Sequence, residues 1–415
     1  MTNHISKKSK LNIPTLTTFS RFKIIKVCTS EEYATELNKI LSTIDKADRS
    51  IKYPCDYKSI LSTYFKKTPG EEGLELIHQE TIANQRGAFG YVLSQIGKNL
   101  MKGRFSLAYS LPINVFDCRT TMEFFAWNLQ LMNGRLEAAK KTPDTITRLK
   151  QLTIFLCTMS RINIPVLNPL MPTLGETFQC DIGDVKCYFE TTTQNPPIFN
   201  FYFIGKEIRS YGHWYLAQEQ GANSMSNDSC GKLNVEFLSD NELFTFSLCQ
   251  FYIGGILFGR NMMRLGNTIT VEHPKSGLIS AVNLNNTGSF FSGWFNKKKR
   301  APDAMEGFIA KKEDVNFDAK NKIYSIKEGK KAIGIISGEW CDFIKYDDKE
   351  IWNKNEDDGF ISMEKMEFTL PSDSTYREDA MFLKIKKEAL AEEAKTFLEE
   401  RDKSDENLRK IFNKQ

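Results

Sequence analysis

The chain has 415 residues, room for two or three domains or for one large barrel with additions, and so enough to bury a sizeable core. Lys+Arg 56 against Asp+Glu 52 leaves +4, too weak a field to favour nucleic acid, and 41% hydrophobic with 26% charged residues excludes the disordered class. The best apolar stretch, Phe246 to Gly259, contains Gln250 and two adjacent glycines and falls short of the roughly 18 residues that would suggest a membrane span.

The opening MTNHISKKSK is basic with no apolar run behind it, which argues against a secretory leader and for a cytosolic protein. Nine cysteines, odd in number and scattered with no C-x-x-C spacing, read as reduced thiols, mostly in the core. His4, His78, His213 and His273 are far apart and form no cluster with cysteine, so no metal site is expected.

In chain order, residues 1–85 carry a strand-like run at Lys23–Val27 and a helical stretch from Glu31 to Ile44, and form an N-terminal extension of unassigned role. From Arg86 to Met101, Phe89, Val92, Leu93, Ile96 and Leu100 recur at helical spacing opposite polar residues. Gly87, Gly90 and Gly97 weaken that helix, which either packs on a core or lies at the surface as a mobile amphipathic element. Helical patterns follow from Met122 to Leu136 and from Asp144 to Met159, with Pro143 suited to the second start, and predict two antiparallel helices. Between Phe178 and Trp340 the chain becomes β-branched and aromatic, with alternation at Phe199, Phe201 and Phe203, at Ile269 and Val271, and at Leu278, Ser280, Val282 and Leu284. That pattern predicts an antiparallel meander, closed or strongly curved. Beyond Pro371 one long charged helix is expected across Arg377 to Phe412.

Signatures of common enzymes are missing: no G-x-S-x-G elbow, no phosphate-cradling P-loop and no G-x-G-x-x-G opening a helix. Glu176 and Glu219 have no geometric constraint that would make them an acid/base pair, so the expectation is a protein without catalytic activity.

Three stretches, in order, carry a resemblance. Asn168-Pro-Leu-Met-Pro-Thr-Leu-Gly-Glu176 is similar to K-P-x-N-P-x-L-G-E, Glu190-Thr-Thr-Thr-Gln-Asn-Pro-Pro197 occupies the place of E-Q-V-S-H-H-P-P, and Pro371-Ser-Asp-Ser-Thr-Tyr-Arg-Glu-Asp379 is similar to P-T-D-S-R-x-R-x-D. Lys395 to Lys403 follows in the place of K-x-x-L-E-E-x-Q-R, and Gly338-Glu-Trp340 in that of G-x-W. From Arg86 to Lys403 the chain thus resembles the oxysterol-binding protein family, whose lipid-binding domain is a β-barrel around a hydrophobic tunnel.

The resemblance implies an α+β, β-dominated fold over residues 86–415: a lid at 86–101, a helical layer at 102–165, a near-closed antiparallel barrel at 166–345 and a C-terminal region at 346–415 with a long charged helix. It implies a lipid headgroup at the tunnel mouth, facing Asn168, Met171, Leu174, Gly175, Glu176, Gln194, Asn195, Lys395, Glu399 and Lys403. Where the family has Lys, Asn and two His, this chain has Asn168, Met171, Gln194 and Asn195. Each lost charge-assisted contact to a phosphate costs about 1.5 to 3 kcal/mol, only partly recovered by neutral amides, so recognition of phosphatidylinositol 4-phosphate is expected to be weakened.

Phe290, Phe291, Trp294 and Phe295 run into Lys297, Lys298, Lys299 and Arg300, a loop suited to reversible contact with an anionic membrane, or else barrel core followed by a solvated loop. Glu123-Phe124-Phe125-Ala126 resembles part of a short docking motif, but lies within a helical pattern and reads as core. The expectation is a monomeric, cytoplasmic and transiently membrane-associated protein, with membrane contact sites as a place of action. It has no cofactor beyond one sterol or phospholipid, which it exchanges between membranes; the alternative is a non-transferring lipid sensor or scaffold.

Overall fold

The computed structural model describes residues 31–412 apart from 44–47, 52, 54–58, 70–72, 100–110, 131, 163–165, 195, 222, 285–300 and 357–360. The chain divides into two units, Met1–Asp45 and Lys46–Gln415. The first holds the helix Glu31–Thr43, opened by Glu31 and Glu32 where the helix dipole favours carboxylates. The Lys23–Val27 run lies outside the described residues.

In the second unit, one antiparallel ladder carries the fold. Strand Met363–Lys365 pairs with Thr177–Ile182, and hairpins continue through Val185–Gln194, Pro197–Ile204 and Ile208–Gln220 to the 14-residue strand Ser224–Phe237. That strand forks the sheet. Its second half pairs with Glu242–Ser247, which leads through Thr268–His273, Leu278–Leu284, Ala304–Lys311, Gly334–Glu339 and Phe343–Tyr346 to Lys349–Asn353. Its first half pairs with Gln250–Gly254, which leads through Met262–Gly266 to the hairpin Leu74–Leu76 and Phe65–Lys67. The expected division at residue 85 therefore does not coincide with the observed one, because strands from 65–76 belong to the main sheet.

Period-two alternation set the faces as expected at Phe199, Phe201 and Phe203, all buried, with Tyr202 opposite and exposed. In Leu278–Leu284 both faces are buried, since Ile279 and Ala281 pack with Phe308 and Ala310 beneath Val315, Tyr324 and Ile326 of a small hairpin. The described cysteines are free, and most are buried.

Three helices lie on the inner face in place of the two expected. Thr120 opens Thr121–Leu129 with a capping box: its hydroxyl accepts from Glu123 N (3.2 Å) and Glu123 Oε2 accepts from Thr120 N (2.9 Å). The helix stops at Gln130, whose main-chain carbonyl accepts from Ile361 N (3.1 Å) and whose side-chain oxygen accepts from Met363 N (2.8 Å). Those bonds to an incoming strand break the pattern that would have run to Leu136, and a separate helix, Met132–Lys140, follows. Asp144 caps Thr145–Ile162 by accepting from Thr147 N (2.8 Å).

The C-terminal helix is likewise two, Glu378–Lys384 and Glu388–Phe412. Lys386 sits at φ 58°, with Lys386 N donating to Leu383 O (3.0 Å) and Lys387 N to Phe382 O (2.9 Å), the bond pair of a Schellman stop. A lysine holds the position that glycine normally fills, so the pattern shows no break there.

Lys67, at the sheet's edge hairpin, places its ammonium against Asp303 (2.8 Å), Glu339 (2.8 Å) and Asp342 (2.5 Å). Burial opposes its charge, but the hydrogen bonds it donates to these carboxylates outweigh that and raise its pKa. Lys67→Met should lower stability by about 2 kcal/mol, less than the 3 to 5 of a fully buried pair because the side chain is 30% exposed. Lys386→Gly should raise it by about 1 kcal/mol by relieving the left-handed backbone. Both are read from denaturant midpoints at unchanged slope.

Candidate functional site: a junction of three segments

The three segments that carry the sequence resemblance meet in space. The loop after strand Asn168–Leu170 turns at Gly175 (φ 76°), whose N–H donates to Thr191 O (2.9 Å). This turn sends the Glu176 carboxylate back into the loop, where it accepts from Thr173 N (2.7 Å), Thr173 Oγ1 (3.1 Å), Ser374 Oγ (2.7 Å) and Arg377 Nη1 (3.2 Å). Arg377 also grips Asp379 through Nε (2.7 Å) and Nη2 (2.9 Å), and the two carboxylates hold its pKa up despite burial. Asp373 accepts from Gln179 N (2.8 Å) and Thr375 N (2.9 Å), and burial pushes its pKa up to about 6. Glu176 thus joins two chain segments as a buried brace.

The second segment joins through Gln194, whose amide nitrogen donates to Pro172 O (2.7 Å) and to Asp402 Oδ2 (3.1 Å). Asp402, on the C-terminal helix, is buried, which pushes its pKa up to about 6 against the backbone N–H of Leu174 and the charges of Arg401 and Arg377. Arg401 donates to Thr173 Oγ1 (3.2 Å).

Lys395, expected to offer its charge at the mouth, is buried, pairs with Glu399 one turn on (2.6 Å) and lies 5.5 Å from the ring centroid of Phe116. Burial raises the Glu399 pKa in opposition to that lysine. Lys403 is exposed. Asn168 reaches Val115 O (3.5 Å), Met171 is partly buried against the core, and Asn195 lies outside the described residues. Direct contact therefore unites the 171–176 loop with Gln194, Arg377, Arg401 and Asp402, while Lys395 and Glu399 engage each other. Arg377 and Asp402 stand inside quoted motif stretches, so that signal was present; their role emerges only from long-range packing.

On the inner face, Phe125 of the first helix reaches Phe201 (5.6 Å between centroids), Trp214 (5.3 Å) and Phe189 (6.0 Å), so the Phe-Phe pair is core as expected. Leu216, Phe246, Leu248 and Phe251 continue this apolar lining but are only partly buried. Trp214 Nε1 is buried without a hydrogen-bond partner among the described residues. Sequence reasoning missed it, since nothing in its pattern separates it from an ordinary core tryptophan.

The segment expected as a lid lies within the helix Gln79–Asn99, which starts about two turns earlier. His78 Nδ1 accepts from Thr81 N (3.4 Å) and fixes that start. Phe89 is half-buried; the side chains of Val92, Leu93 and Ile96, the whole of Leu100, and the loop from Trp294 and Phe295 through Lys297, Lys298, Lys299 and Arg300 lie outside the described residues. Among the described residues, Asp303, Glu339 and Asp342 come close enough to hold a cation, and the Lys67 ammonium already does so. Among them, too, no helix is long and apolar enough to cross a membrane.

The oxysterol-binding protein family model matches residues 90–415. Among curated relatives, Oxysterol-binding protein 9 of Dictyostelium discoideum is 25% identical over 337 residues, spanning 79% of this chain and 77% of that protein. Oxysterol-binding protein-like protein OBPa of Candida albicans is 25% identical over 261 residues, 58% of each chain. Among solved structures, the Osh1 ORD domain in complex with ergosterol aligns at TM-score 0.60 and 15% identity over 93% of this chain and 90% of that one. The Osh3 ORD in complex with PI(4)P from Saccharomyces cerevisiae aligns at TM-score 0.58 and 19% identity over 77% and 84%. At these identities the structures establish a shared fold, and the match to the family model over most of its length places the chain in the oxysterol-binding protein family.

Proposed function

We propose that this protein encloses one sterol or phospholipid against the apolar inner face of its sheet and exchanges it between membranes without covalent chemistry, with weakened recognition of phosphatidylinositol 4-phosphate. It would work in the cytoplasm as a peripheral, transiently attached protein, with the Gln79–Asn99 helix as cover over the cargo. Relatives hold ergosterol or PI(4)P, which supports this cargo class. Trp214 Nε1 offers a hydroxyl or carbonyl oxygen of such a lipid a buried donor.

The Gln194–Asp402 contact carries the headgroup reading. An amide stands where the family fingerprint has histidine, and a carboxylate where its C-terminal motif has glutamine. A headgroup phosphate entering here meets a negative charge, while Lys395 is engaged by Glu399. The same pairing favours a second reading, a lipid sensor that binds without exchange.

Transfer of labelled sterol and phospholipids between liposomes separates the two, with mass spectrometry of lipid extracted from the purified protein. Sterol or phospholipid exchange, with little phosphatidylinositol 4-phosphate recovered, is the expected result; binding without exchange identifies the sensor, and abundant bound phosphatidylinositol 4-phosphate overturns the headgroup reading.

Asp402 also makes the headgroup site pH-dependent. Its folded pKa of about 6 exceeds the ordinary carboxylate value, so its stabilising protonation is complete at low pH and lost as pH rises through about 6. Neutralising it removes a repulsion from the site, so affinity for phosphatidylinositol 4-phosphate should rise on the order of tenfold as pH falls from 7 to 5. Asp402→Asn should bind tighter at pH 7 and lose most of that dependence; Asp373 stays in both proteins and controls for the other group that titrates near 6.

A further inference from the structure

The hairpin joining strands Gln250–Gly254 and Met262–Gly266 ends in Gly255-Ile-Leu-Phe-Gly259, and Phe258 at its tip is 67% exposed. A large apolar side chain on a loose loop would need no explanation, but this loop is built. Asn223, from the neighbouring hairpin, holds it with five hydrogen bonds. Its side-chain oxygen accepts from Leu257 N (2.7 Å) and Phe258 N (3.2 Å), its amide donates to Phe258 O (3.0 Å), and its carbonyl accepts from Gly255 N (2.9 Å) and Ile256 N (3.3 Å). Gly255 (φ 72°) lies so close to Arg260 O that a Cβ would collide. Ile256 is buried and anchors the tip from below. Every feature that fixes the backbone leaves Phe258 outside.

The charges around this tip are mostly positive. Arg86 donates to Gly259 O, tying the tip to the Gln79–Asn99 helix. Arg260 is exposed and pairs with Glu75 (2.7 Å), beside which Lys66 stands in cross-strand register. Arg264 lies farther down the hairpin with its guanidinium over Tyr252 (4.2 Å). Against these cations stand Glu75, the exposed Glu80 and, on the neighbouring hairpin, the exposed Glu219. Farther along the same helix Tyr91 is 53% exposed. An aromatic wedge flanked by arginines complements an anionic lipid surface: the apolar ring enters the acyl boundary while guanidiniums meet the headgroups.

We propose that the Phe258 hairpin is a preformed membrane-docking wedge that seats the protein on anionic bilayers. This deepens the lipid-exchange reading, on which it rests for its purpose, and it is independent of the aromatic-basic loop at residues 290–300. Pre-organisation suits a shuttling protein, because a tip that is already ordered loses little conformational entropy on each docking. Since Arg86 spans tip and cover helix, insertion would act on the helix directly.

The test is flotation with vesicles of phosphatidylcholine, alone or with one-third phosphatidylserine, using cargo-loaded full-length protein. Phe258→Ala should reduce partition to the anionic vesicles about tenfold, a loss of about 1.4 kcal/mol, with thermal stability and cargo retention unchanged. Asn223→Ala should weaken it less, by loosening the tip without removing the ring. Phe258→Trp should add emission that brominated phosphatidylcholine quenches. Wild-type flotation by Phe258→Ala, or added emission that brominated lipid leaves untouched, overturns the wedge. Self-association abolished by Phe258→Ala with no change in flotation also overturns it, assigning the tip to a second copy of the chain. Cargo content is measured on the same samples, so loss of docking with cargo present and loss of cargo with docking intact are separate outcomes.

Discussion

The Glu176 carboxylate is the constraint on which the rest of the site depends. It is buried, and a buried carboxylate persists only when its lone pairs are taken up, which here requires a backbone N–H, two hydroxyls and a guanidinium from two chain segments some 200 residues apart. Arg377 in turn satisfies Glu176 and Asp379 together, so removing one member leaves the others as uncompensated buried charges. The loop from Met171 to Glu176 is therefore placed by its anchor, and Gln194 and the C-terminal helix close on a surface that is already rigid.

This arrangement changes the meaning of the sequence resemblance. Residues that read as headgroup ligands divide into those that hold the loop, such as Glu176, and those tied to the C-terminal helix, such as Gln194 through its bond to Asp402. The charge-bearing partners are matched internally: Lys395 with Glu399, Arg377 with Glu176 and Asp379.

Much of the fold was legible because its signals are local. Alternation at Phe199, Phe201 and Phe203 identified an inner face, and the motif order identified the family. What was not legible depends on contacts distant in sequence. The helix expected to reach Leu136 ends at Gln130 because Ile361 and Met363, at the entry to strand Met363–Lys365, take its carbonyl and its side chain. The C-terminal helix breaks at Lys386 because tertiary packing holds a lysine where only glycine would have advertised a stop. Lys395 read as a headgroup contact at the tunnel mouth, and only the fold shows it buried over Phe116 and paired with Glu399. Residues 65–76 offered two three-residue strands, too short for periodicity to register.

The forked strand Ser224–Phe237 has a consequence for how the molecule is made. Leu74–Leu76 finds its partner in Met262–Gly266, so this early hairpin waits through the synthesis of roughly 190 residues before its outer edge is covered, about 10 to 40 s at ordinary elongation rates. During that interval it is an open edge with the apolar Leu74 and Leu76 uncovered, a template for pairing with another nascent chain. Glu75, set between Leu74 and Leu76, puts a charge on that edge strand and serves as a guard against such pairing until the second branch arrives.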